Sequence, residues 1–171
     1  MKSKLIIALV IFGAVLSGLE PLAAQSPTPP PLAGSWQFTL TPARSNPPTT
    51  APTIYALATF TADGSTIEAH SSEVAPISPA VTNGIRATAG HGIWQPAPAF
   101  GNLYIQFINL VVNSNGSLYA RRKVTISGAL DSTGNNFSGS YSYVLTDPSG
   151  GILATGSGTA TGQRIPHPAL P

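Results

Sequence analysis

Glu68, His70 and Arg122 are the residues of this chain whose types and positions could together do acid–base or polarising chemistry. Glu68 and His70 stand two apart in a stretch, residues 65–72, that reads as a strand, so they share one face. Arg122 falls in phase with the apolar Ala120 and Val124, out of step with the charged residues around it. If all three faced one interior, they would shift one another's protonation and could orient or polarise a carbonyl-bearing ligand. The default for a half-exposed strand is the reverse: Thr66, Glu68 and His70 face solvent, and Ile67 and Ala69 face in. That outward arrangement is the expectation, with the inward cluster kept beside it.

Other chemistries find few residues. Asp63, Asp131 and Asp147 lie in glycine-containing turns, where an aspartate serves the local backbone. Glu68 and Glu73 alone remain as carboxylates, one on a strand and one in a loop, which argues against a paired-carboxylate glycosidase. His91 has no second metal-ligand residue near it, so no metal and no cofactor are expected. No Gly-x-Ser-x-Gly elbow occurs, and the glycine-rich residues 156–162 lack the lysine and helix of a phosphate loop. No residue is assigned a catalytic role. The candidate ligand-binding set is Glu68, His70 and Arg122, with Trp94, Phe107, Tyr141 and Tyr143 as walls.

The elements that must position these residues are strands. Residues 103–112 form an apolar, β-branched and aromatic run that ends at the turn-forming Asn113 to Gly116. The returning stretch alternates Leu118, Ala120, Val124, Ile126 and Leu130 with polar partners, with Arg122 and Gly128 as its breaks. Another turn at 131–136 leads to alternating Phe137, Gly139, Tyr141, Tyr143 and Leu145, and residues 147–151 turn the chain into a thin last strand, 152–164. Upstream, residues 34–40, 54–61 and 65–72 read as three strands, the last two joined by Asp63-Gly64. Prolines 76, 79, 96 and 98 interrupt the middle and leave one short strand around residues 90–95. Eight strands with short antiparallel connections predict an all-β fold, a single eight-stranded antiparallel up-and-down barrel.

Lys2 and Lys4, an apolar run from Leu5 to Leu16 and a small-residue region ending at Ala24 read as a signal peptide over residues 1–24. The run is shorter than the ~20 residues of a spanning helix, so the expected destination is secreted or periplasmic, with no membrane association after cleavage. Residues 25–33 are a proline-rich linker, 34–165 the barrel domain and 166–171 a flexible tail. The chain has no cysteine, which excludes disulfides, thiol catalysis and thiolate metal sites. Beyond the signal, six basic residues face five acidic ones, so there is no electrostatic footprint for nucleic acid.

Gly34-Ser35-Trp36 at the head of the first strand resembles the lipocalin and broader calycin pattern. That resemblance implies a basic side chain near the last strand packed across the tryptophan, and Arg164 is placed for it. Over about residues 34–165, the strand pattern ATFTADGS with a later GSGTATG also resembles small secreted barrels of the allene-oxide-cyclase-like and dirigent type. Lipocalin-type disulfides and a C-terminal helix are absent from the sequence. The resemblance implies a cavity for a small apolar or amphipathic molecule. The alternatives are a cofactor-independent cyclase or isomerase acting on an apolar substrate, and a structural barrel with a filled interior acting through surface contacts or oligomerisation.

Overall fold

Every positive φ among the described residues falls on a glycine, and four of these, Gly64, Gly116, Gly134 and Gly150, close hairpins. Each donates its N–H to the carbonyl three residues back, on Thr61, Asn113, Asp131 and Asp147 respectively. This is a type I turn followed by a left-handed glycine, a three- to four-residue connection rather than a two-residue Asp-Gly turn. Side chains finish the turns: Asp63 Oδ1 accepts from the Ser65 N–H at 3.0 Å, and Asp147 Oδ1 from those of Ser149 and Gly151 at 2.8 and 2.9 Å.

The computed structural model describes residues 31–43, 52–73, 84–97 and 102–166. The signal peptide, most of the linker and nearly all of the tail lie outside them. The strands are β1 (Gly34–Pro42), β2 (Ile54–Phe60), β3 (Ser65–His70), β4 (Arg86–Ala87), β5 (Gly90–Pro96), β6 (Asn102–Val112), β7 (Leu118–Leu130), β8 (Asn136–Thr146) and β9 (Ile152–Arg164). Hydrogen bonding runs β1-β2-β3-β5-β6-β7-β8-β9 and returns to β1, every pair antiparallel. The fold is therefore the expected closed eight-stranded barrel. The one addition is β4, a two-residue strand outside the ring that pairs with the far end of β6.

Between β4 and β5 the chain bulges. Ala87 pairs with Val111 and His91 with Ile108, so the ladder slips by one residue. Thr88 bridges the slip: its N–H donates to Leu110 O at 2.8 Å and its Oγ1 accepts from the Leu110 N–H at 3.1 Å.

One end of the barrel is an aromatic plug of Trp36, Phe38, Phe60, Trp94 and Phe137, with neighbouring ring centroids 5.4–6.4 Å apart. The Arg164 guanidinium stacks 4.5 Å from the Trp36 ring centroid, as the resemblance implied, and donates to the carbonyls of Pro31, Ala33 and Gly134. Trp94 donates from Nε1 to Thr61 O at 2.9 Å, which ties the β2–β3 turn to β5. Rings fit against β9 because it has inward glycines: a Cβ on Gly158 would meet Tyr141 at 2.7 Å, and one on Gly162 would meet Phe38 at 2.8 Å. Ile85, Ala87, Val111 and Ala120 form a smaller cluster at the opposite end.

Candidate functional site

The β3 expectation is overturned. Thr66, Glu68 and His70 are buried, whereas Ile67 is 54 % exposed. Pairing decides it, because the β1–β2 register puts Ala56 and Ala58 inside, opposite Phe38 and Trp36. The hairpin then sets His70 against Ala56 and Glu68 against Ala58. Two alanines leave the room that a glutamate and a histidine fill.

Glu68 pairs with Gly90 across to β5, Gly90 lies beside Asn109 on β6, and Asn109 pairs with Arg122 on β7. This row of the barrel wall is laced by side chains. Asn109 Nδ2 donates to Glu68 Oε1 and, at 3.1 Å, to the Thr88 carbonyl in the bulge. Asn109 Oδ1 accepts from Arg122 Nε and Nη2 at 3.2 and 3.1 Å. Arg122 Nη2 also contacts His70 Nε2, and His70 Nδ1 lies 3.3 Å from Glu68 Oε2, which closes the circuit. A Cβ on Gly90 would strike Asn109 Nδ2 at 2.6 Å and Phe107 at 2.8 Å, so the row needs a glycine there.

Arginine has no acceptor, so His70 Nε2 must accept from Arg122 and the ring proton sits on Nδ1. Nδ1 faces two carboxylates, Glu68 Oε2 and, at 3.4 Å, Glu73 Oε1, but off the line of a hydrogen bond; it is left without a hydrogen-bond partner. Glu73 Oε1 instead accepts the His70 backbone N–H at 2.9 Å. Thr66 Oγ1 and Ser72 Oγ are also buried without partners. Burial draws the Arg122 pKa down, and the Glu68 carboxylate opposes that effect. The buried charges thus balance as one carboxylate and one guanidinium joined through an amide.

The structure brings Glu68, His70 and Arg122 together and adds Asn109, which sequence reasoning missed. Its signal was the one that marked Arg122: Asn109 stands in phase with the inward Leu103, Ile105, Phe107 and Val111. The candidate walls divide. Trp94 belongs to the aromatic plug, Phe107 and Tyr141 are packed in the core, and Tyr143 is half-buried, packed against that core and beside Gly156. Burial raises the Tyr141 pKa. A pocket on the inner wall lined by Leu40, Ala56, Phe60, Thr66, Glu68 and Phe107 has a volume of ≈ 20 Å³. A larger concavity of ≈ 490 Å³ lies on the outer face over β1 and β7 to β9, walled by hydroxyls of Thr125, Ser127, Ser140, Ser142, Ser157 and Thr159.

No family model, no curated protein and no solved structure matches this chain, so the residues themselves carry the functional argument.

Proposed function

We propose that this chain is a calycin-like barrel, secreted or periplasmic, whose interior is occupied by its own side chains and which works through its outer surface. The observation that carries the reading is the ≈ 20 Å³ left free in the pocket on the inner wall between Leu40, Thr66, Glu68 and Phe107. That is room for about one water, against the ~300 Å³ at which small-molecule sites begin. The polar residues agree with it: Glu68, Asn109, Arg122 and His70 are bonded mainly to one another, which ties β3, β6 and β7 together across Gly90 of β5. The amino-terminal pattern of lysines, apolar run and small residues supports export. The Trp36–Arg164 seal supports the calycin-like reading.

The second reading is uptake of a small apolar or amphipathic molecule at the His70 end. It is favoured by the unpartnered His70 Nδ1 and Thr66 Oγ1, and a cyclase or isomerase would place Glu68, His70 and Arg122 on such a molecule. It requires side chains to move aside. Native mass spectrometry of the protein purified from its own source separates the two. The bare polypeptide mass is expected, and a retained small molecule in fixed ratio would overturn the filled-interior reading.

A further inference from the structure

The outer surface of the barrel has two unlike halves. Over β7 to β9 the outward residues are mostly serine and threonine, whereas over β2, β3, β5 and β6 large aliphatic side chains stand among Thr59, His91, Gln95 and Gln106. Leu57 (57 %), Ile67 (54 %), Ile93 (51 %), Ile108 (46 %) and Leu110 (45 %) are all about half exposed. The register makes them one patch. Ile67, His91 and Ile108 are directly paired in a row across three strands; Ile93, two residues on from His91, flanks that row on one side, and Leu57 and Leu110 flank it on the other. Strands ~4.8 Å apart and same-face residues ~6.8 Å apart place these side chains within ~17 Å of one another. Tyr55, also 57 % exposed, extends the patch along β2.

This alternation is the opposite of what a solvated strand face needs. Thr66, Glu68 and His70 occupy the inner phase of β3, so the apolar Ile67 is turned outward. With roughly 100 Å² exposed per side chain, the five aliphatics offer about 500 Å² and Tyr55 brings the patch to about 600 Å², the top of the range for a monomer. Adding its rim brings it to the ~800 Å² per partner of a standard stable interface. His91 and Tyr55 are its titratable side chains, and outward charges stand at its edge: Lys123 and Arg121 pair with Ile108 and Leu110 from β7, and Arg86 of β4 pairs with Val112.

We infer that the β2–β3–β5–β6 face is the contact through which two copies of this chain pair. The occupant follows from the chemistry. An uncharged aliphatic face is matched by another of the same kind, and this patch is such a face on the described surface. Two copies related by a twofold axis would lay the Ile67–His91–Ile108 row against itself, with Lys123, the next residue of that row on β7, at the rim of the contact. The inference rests on the reading that the outer surface does the work, and it names the partner.

Sedimentation velocity of the exported protein over a concentration series tests it, alongside the variant Ile67→Asp/Ile108→Asp. Both substituted side chains point outward, so the barrel should keep its far-UV spectrum. The wild type is expected to dimerise with a Kd of ~10 µM or tighter, and the variant to weaken this at least ~100-fold. A wild type that stays monomeric through ~100 µM, or a folded variant that dimerises as well as the wild type, overturns the inference. An apolar probe titrated into the monomeric variant separates the two readings: uptake would defeat the filled interior and leave the dimer face standing.

Discussion

Replacing Arg122 by methionine keeps most of the buried volume and removes the positive charge from the interior circuit. Asn109 Oδ1 then loses both of its guanidinium donors, His70 Nε2 loses its donor, and Glu68 is left as a buried carboxylate without a counter-charge. Breaking a buried pair from one side costs about 3–5 kcal/mol. The orphaned acceptors, at ~1–3 kcal/mol each, push the sum toward the upper part of that range. With a urea m-value of about 1.5 kcal/mol/M, a loss of ~4 kcal/mol lowers the unfolding midpoint by ~2.7 M. The double variant Glu68→Gln/Arg122→Met removes the stranded carboxylate as well and should recover about 2 kcal/mol of the loss. Urea unfolding of the wild type, both single variants and the double variant measures the coupling. A loss below ~1 kcal/mol for Arg122→Met, or a double variant no more stable than that single one, would refute the closed circuit.

Asn109→Leu leaves Glu68, Arg122 and the Thr88 carbonyl without their shared partner and should cost about 3 kcal/mol; a loss within the ~0.5 kcal/mol of a surface change would contradict the bonding described. Gly90→Ala drives a methyl into Asn109 and Phe107 and should cost ~1–3 kcal/mol in the same assay. Arg164→Ala removes the stack on Trp36 and three carbonyl contacts, and is expected to lower stability by ~2 kcal/mol while leaving the Arg122 circuit unaffected. Hydrogen bonds from Thr61, Asn136 and Ser149 hold the Asp63, Asp131 and Asp147 carboxyls below the usual aspartate value. Their folded values lie under the unfolded value of ~3.9, so their contribution is present above that pH and is lost as pH falls through the lowered values. Thermal unfolding followed from pH 7 downward should weaken below about pH 4, and Asp131→Asn should flatten part of that slope.

The barrel was legible because its strands alternate and its hairpins end in glycine; the four strands of the meander, β6 to β9, lie where the sequence places them, and the alternation of β7 and β8 matches in phase. β3 was misread because polar-out alternation is a rule about average strands. Here a two-residue phase was fixed by neighbours, Ala56 and Ala58, which no single-strand pattern can weigh. β4 is too short to have a period, and its pairing depends on the bulge at Thr88. Arg122 and Asn109 carried the same signal, an out-of-phase polar residue. Charge drew attention to the first, while the amide passed as part of an apolar run.

The central claim is that the barrel's interior is full. Methyl-resolved NMR of Leu40, Ile105 and Ile126, which line the inner wall, during titration with a fatty-acid-like apolar ligand tests it most directly. The account predicts that these resonances stay in place up to the solubility limit of the ligand. Saturable shifts confined to the inner-wall methyls would contradict it.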